Sequence, residues 1–147
     1  TSSVHGEDGY IIRDPKMISA RLTRLDRKLR ARVDDFSYHR SESVDGAETL
    51  VITYGVSGRA VRRACRELRI AGRKVGSAIL MTLWPVPEEL IRRVARDVSR
   101  VLVVEANFGQ YVFEIERVLK NRKVDFLGKM DGALITPSMV RDAVLDY

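Results

Sequence analysis

The chain has 147 residues, 45% of them hydrophobic, with a formal charge of +6 and a pI near 9.8. That length suits one domain with an ordinary core and leaves little room for two full domains. A single cysteine excludes an intrachain disulfide and a cysteine-held cluster or zinc site, and the composition suits a reducing cytoplasm.

No apolar run reaches the ~20 residues that span a bilayer, and no signal peptide is evident, so no membrane partner is expected. The chain opens on Thr1 rather than Met, which leads us to expect a processed subunit or a fragment. Positive residues are interleaved with Asp and Glu along every helical stretch. This pattern reads as an arginine-rich solvated surface rather than a nucleic-acid face, because net charge informs on non-specific association.

Thr1 to Asp14 reads as a polar connector. His5-Gly6-Glu7-Asp8 lacks the spacing of a calcium loop, so no metal is assigned to it. Asp14-Pro15 is a helix start, with a capping side chain followed by a proline in the first turn. Ile18, Leu22, Leu25, Leu29, Val33 and Phe36 then recur every three or four residues. They form one apolar stripe on a basic helix of about twenty residues, which reads as a linker helix. The stretch around Tyr38-His39-Arg40 is a candidate short edge strand.

Four strand-and-helix pairs follow. Leu50–Tyr54, Lys74–Met81, Val101–Val104 and Val124–Leu127 are short β-branched runs of the kind buried on both faces. The stripes between and after them are Ala60/Val61/Ala64/Cys65/Leu68, Leu90/Ile91/Val94/Ala95/Val98, Tyr111/Val112/Ile115/Val118/Leu119 and Val140/Ala143/Val144. Arg92, Arg93, Arg96 and Arg100 are expected on the outer face of the second of these helices. Asn107 reads as the N-cap of the third, with Gln110 reaching back to it. Thr136-Pro137 starts the last.

Regular alternation of this kind predicts a three-layer α/β/α fold around a mostly parallel sheet, with right-handed crossovers. Ligands on such sheets favour the carboxyl ends of the strands at the switch point. Two turns qualify as ligand or interface positions. One holds Gly55, Ser57 and Gly58, and the other Asn107, Gly109 and Gln110. A glycine-bearing turn into a helix N-terminus can hold an anion. The spacing is neither a dinucleotide fingerprint nor a P-loop, and Gly55 is expected to serve the tight turn itself. Cys65 lies on an apolar face, and Glu105 ends a strand with no acid or base partner apparent. No catalytic residue and no metal ligand is assigned.

The segments LVITYGVSGRAVRRAC, KVGSAILMTLWPVPEELI, VLVVEANFGQ and GKMDGALITPSMV, in this order and spacing, resemble the C-terminal part of the α subunit of 2-oxoacid:ferredoxin (2-oxoacid:acceptor) oxidoreductases. The front segment HGEDGYIIRDPKMISARLTRLDRKL resembles that family's connector. The resemblance implies a transketolase C-terminal-like sheet of about five strands, with Leu50–Tyr54 beside Val101–Glu105 and an antiparallel edge strand ahead of them. Residues 1–48 are then a connector, linker helix and edge strand, and residues 49–147 the α/β domain.

The resemblance further implies a complex that oxidatively decarboxylates a 2-oxoacid to an acyl-CoA and reduces ferredoxin. Such a complex uses thiamine diphosphate, Mg, iron–sulfur clusters and CoA. Its partners are a thiamine-binding β subunit, γ-type and ferredoxin-like subunits and, indirectly, ferredoxin. None of those cofactors is expected on this chain, whose role is subunit contact. The alternative is a stand-alone α/β module taking an anionic ligand, a nucleotide or the CoA phosphates, at the strand carboxyl ends.

Overall fold

The computed structural model describes residues 4–146. The backbone divides into two compact units, Thr1–Phe36 and Ser37–Tyr147. Residues 1–3 of the expected connector lie outside the described residues.

In the first unit the connector closes on itself. The Gly6 amide donates to the Tyr10 carbonyl at 2.8 Å, the Ile12 amide to the Val4 carbonyl at 2.8 Å, and His5 pairs with Ile11 in one antiparallel bridge. Helix α1 spans Pro15–Arg30. It starts as its sequence predicts, with Asp14 Oδ1 accepting from the Met17 amide at 2.9 Å. The helix is shorter than the apolar stripe. The chain leaves it at Ala31 and tightens into a 3₁₀ turn, Val33–Phe36, so the last two stripe positions are not helical continuations. None of the residues of α1 is buried.

The second unit holds a five-stranded sheet. In chain order its elements are β1 (His39–Glu42), β2 (Thr49–Tyr54), α2 (Ser57–Ile70), β3 (Val75–Leu80), α3 (Glu88–Val94), β4 (Arg100–Glu105), α4 (Val112–Leu119), β5 (Lys123–Gly128) and α5 (Pro137–Leu145). The strand order is β1-β3-β2-β4-β5, with β1 antiparallel to β3 and all other pairs parallel. β1 therefore belongs to the sheet-bearing unit.

The central strands are apolar on both faces because both faces are covered. Leu50, Ile52, Ala78, Val101 and Val103 pack with Leu90 and Ile91 of α3 and Ile115 and Val118 of α4. Val51, Val75, Leu102 and Val104 pack with Val61, Ala64 and Cys65 of α2 and Val140 of α5. Each strand alternates between these cores, as a period of two dictates. α2 and α5 thus share one face, and α3 and α4 the other. Chain direction across the sheet reverses between β2 and β4, so the carboxyl ends of these two strands form the switch point.

One expected face is corrected. Arg100 does not continue an outward helical row. α3 ends at Val94, and Arg100 is the first residue of β4, 8% exposed. Its guanidinium pairs with Asp125 of β5. It also donates to the carbonyls of Ala143 at 2.9 Å and Val144 at 3.2 Å at the carboxyl end of α5. A cation at the negative end of a helix is favourable, and the buried charge is tolerated because each of its three nitrogens meets an acceptor.

Candidate functional site

At the switch point the carboxyl end of β4 delivers Glu105, 1% exposed, between the sheet and the start of α4. A carboxylate withdrawn from water must be hydrogen-bonded, and this one is. Its Oε2 accepts from Tyr54 Oη at 2.8 Å, Asn107 Nδ2 at 3.0 Å and the Tyr111 amide at 2.9 Å, and its Oε1 from the Val112 amide at 2.8 Å. Two of these donors are the first free amides of α4, so the anion also sits at the positive helix end.

This corrects the expected cap. Asn107 does not cap α4. Its Oδ1 accepts from the amides of Gly109 at 2.7 Å and Gln110 at 3.1 Å, which folds residues 107–110 into a turn ahead of the helix. Gly109 holds φ +92° there, a conformation that side chains with a Cβ rarely take. Glu105, six residues upstream of Tyr111, performs the capping. Gln110 is exposed and donates its backbone amide, rather than its side chain, to Asn107.

Tyr54 completes the cluster. Its hydroxyl accepts from Asn107 Nδ2 at 2.7 Å while donating to Glu105. Its ring meets that of Tyr111 edge-on, with centroids 5.6 Å apart at 67°. Burial, then the adjacent Glu105 carboxylate, pushes the Tyr54 phenol up to about 12, and burial foremost raises that of Tyr111 as well. Tyr111 Oη donates to the Leu83 carbonyl at 3.2 Å, pinning the Thr82–Pro85 segment to α4. The start of that segment is held just ahead of β1, where the Thr82 amide donates to the Tyr38 carbonyl at 3.2 Å. Trp84 is left 63% exposed.

The other predicted turn stands apart from this cluster. Gly55 takes φ +59°, the left-handed conformation expected of it. Ser57 opens α2 and is 4% exposed, and Gly58 lies so close to β3 that a Cβ would come within 3.0 Å of Ile79 Cγ2. Ser57 lines a cleft of about 260 Å³ with Val56, Arg59, Ala60, Leu134, Ile135 and Pro137, and none of Asn107, Gly109 and Gln110 reaches it. The two predicted turns thus differ: Asn107, Gly109 and Gln110 form a closed turn beside the Glu105 knot, while of Gly55, Ser57 and Gly58 only Ser57 lines the open cleft.

Sequence reasoning missed Tyr54 and Tyr111 as polar groups. The available signal was a glutamate ending a strand that is otherwise buried on both faces, which requires donors on neighbouring elements. Cys65 is fully buried on α2, and burial pushes its thiol up to about 11. Among the described residues, no three His, Cys, Asp or Glu side chains gather in a way that could hold a metal ion, and no helix is long and apolar enough to cross a membrane.

The 2-oxoglutarate synthase subunit KorA of Methanocaldococcus jannaschii is 34% identical over 146 residues, covering 99% of this chain and 39% of that protein. The chain thus spans about two fifths of the length of that relative. Among solved structures, the 2-oxoglutarate:ferredoxin oxidoreductase from Magnetococcus marinus, with 2-oxoglutarate, coenzyme A and succinyl-CoA bound, superposes with a TM-score of 0.75 at 26% identity. The match covers 97% of this chain and 25% of that one. Transketolase from Campylobacter jejuni, 10% identical, shares the fold with a TM-score of 0.54 over 74% of this chain and 18% of its own. The family model described as pyruvate:ferredoxin oxidoreductase core domain II matches residues 47–140. That span runs from the start of β2 into α5 and takes in the Glu105 knot, the Thr82–Pro85 segment and the cleft at Ser57, and on it the chain belongs to the pyruvate:ferredoxin oxidoreductase core domain II family.

Proposed function

We propose that this chain is the assembly and subunit-contact region of a 2-oxoacid:ferredoxin oxidoreductase α subunit. The observation that carries the reading is the rim formed by the loops after the parallel strands. Met81 (52% exposed), Trp84 (63%), Phe108 (84%) and Met130 (42%) follow β3, β4 and β5. Parallel strands send these loops to one end of the sheet. Large apolar side chains gathered there mark a surface made to be covered by protein, and aromatic residues are the usual anchors of such surfaces.

In this reading the whole enzyme oxidatively decarboxylates a 2-oxoacid to an acyl-CoA and passes electrons to ferredoxin in the cytoplasm. Thiamine diphosphate and Mg lie with a thiamine-binding β subunit. The iron–sulfur clusters lie with γ-type or ferredoxin-like partners, since a cluster needs several thiolates and this chain has one cysteine. The part played by this chain is to present a rigid rim, braced from inside by Glu105 and Tyr111, against which other parts of the enzyme pack.

The test is affinity capture from the native cell extract with this chain as bait, followed by mass spectrometry. A thiamine-binding subunit and an iron–sulfur protein are expected, and the double variant Trp84→Ser/Phe108→Ser should recover neither while keeping its circular dichroism. Capture of neither by the folded parent chain would overturn the reading.

A further inference from the structure

The start of α2 is built unlike the starts of α1 and α5, where a side chain caps the helix. Here Val56 stands at the cap position, with no side-chain hydrogen bond and no acid in the first turn. The Ser57 amide has no backbone partner among the described residues. Those of Gly58 and Arg59 reach only the carbonyls of Gly55 at 3.2 Å and Val56 at 3.5 Å. These three N–H groups carry the positive end of a helix of 14 residues.

A second feature points the same way. Ser57 is 4% exposed, and its hydroxyl bonds to none of the described residues; since no sealed-off side-chain oxygen among them lacks a partner, what exposure it keeps is the hydroxyl facing the cleft it lines. A hydroxyl so nearly buried, with no protein partner and opening on the cleft alone, is placed to bond a ligand oxygen there. Arg59 lines the same cleft and has no ion-pair partner among the described residues. It stands in the first turn, where the helix field disfavours a cation, and so adds charge at the point where the helix already attracts an anion. Arg62 and Arg66 continue this unpaired face along α2, which would steer an anion towards the cleft. The remaining lining is apolar: Val56, Ala60, Leu134, Ile135 and Pro137.

We infer that the cleft between the start of α2 and the Leu134–Pro137 segment binds a small organic anion. Its carboxylate or phosphate head is held by the Ser57 hydroxyl, the first amides of α2 and Arg59, and its short apolar body lies against Val56 and Leu134. The volume of about 260 Å³ falls below the ~300 Å³ at which drug-sized sites begin, so the ligand is a small acid rather than a nucleotide. The inference stands independently of the assembly reading, because it uses none of the rim residues invoked there.

The experiment is an amide ¹H–¹⁵N titration of the full 147-residue chain with isovalerate in one arm and inorganic phosphate in the other, at fixed ionic strength. Saturable shifts at Ser57, Gly58 and Arg59 are expected in at least one arm, and the arm that saturates identifies the head group. Arg59→Glu, an exposed substitution, should weaken binding by roughly tenfold or more, and Ser57→Ala by several-fold, since bonds to a charged group are the strong ones. If isovalerate is the ligand, Leu134→Asp should also weaken it. Shifts that do not saturate in either arm, that spread evenly over the arginines of α2, or that persist unchanged in Arg59→Glu would overturn the proposal.

Discussion

Replacing Glu105 by glutamine keeps the shape of the side chain and changes only its hydrogen-bonding capacity, so it isolates the part that the carboxylate plays. Four donors converge on its two oxygens, three on Oε2 and one on Oε1. A glutamine best serves them by keeping its carbonyl oxygen where three donors meet, which sets its NH₂ against the Val112 amide. One buried donor is then unsatisfied, at about 1–3 kcal/mol. The three remaining bonds fall from charge-assisted to neutral strength, losing up to about 1 kcal/mol each. Relief from burying a charge offsets part of this. The net loss should be about 2–4 kcal/mol, a large share of the roughly 5–15 kcal/mol that such a chain has. Glu105→Ala, which strands all four donors and leaves a void, should cost about 4–6 kcal/mol. Urea unfolding followed by circular dichroism is the appropriate assay, because the single tryptophan, Trp84, is largely exposed and reports poorly on the core. With a slope of about 2 kcal/mol/M, the glutamine midpoint should fall by about 1–2 M. A glutamine variant within 0.5 kcal/mol of the parent would refute the idea that the anion organises this end of the sheet.

Other predictions follow from the same geometry. Arg100→Met should cost about 3 kcal/mol by leaving Asp125, only 14% exposed, without its main partner. This is the low end of the usual range, because Lys123 Nζ remains 3.9 Å from Asp125. Adding Asp125→Leu should restore most of the loss, and a double variant no more stable than the single one would count against the pair. The Tyr54 phenol, raised to about 12 in the fold, makes stability depend on alkaline pH. Its contribution is complete below the ordinary phenol value near 10 and is lost as pH rises from there through about 12, since the unfolded chain releases that proton first. Urea midpoints measured across that window should fall less steeply in Tyr54→Phe than in the parent. Cys65, buried and with its thiol raised to about 11, should resist a thiol reagent at pH 8 in the native state and titrate as one equivalent in denaturant. Rapid native labelling would place it outside the core.

The parts of this molecule that were legible in its sequence are those governed by local period. The β-branched runs and helical stripes between residues 49 and 145 became strands and helices in the expected order, and Asp14 and Thr136 cap the helices they precede. Misread parts depend on distance along the chain. Asn107 looked like a cap because the residues after it suit a helix. The true cap, Glu105, is recognisable only once β4 lies beside β2 and places Tyr54 against it, 51 residues away in sequence. Arg100 fitted a helical row with Arg92, Arg93 and Arg96. The row breaks because α3 ends at Val94, and its pairing with Asp125 depends on the register of β4 with β5. Of the two predicted turns, the one at Asn107 is consumed by its own hydrogen bonds, while the one at Ser57 stays open. Turn sequences alone do not distinguish these outcomes, because the difference lies in where neighbouring loops bring their side chains.

The antiparallel edge strand β1 has a consequence for how this domain can join others. Its residues are His39, Arg40, Ser41 and Glu42, none of them apolar or fully buried. A strand so short and charged offers a poor template for another chain to add to, and by occupying the flank of β3 it seals an apolar strand that would otherwise invite such growth. Continuation of the sheet from one subunit into the next is therefore blocked on this side. A domain closed in this way joins larger structures through side-chain surfaces, which can be matched to one partner residue by residue, whereas backbone edges pair with little regard to sequence.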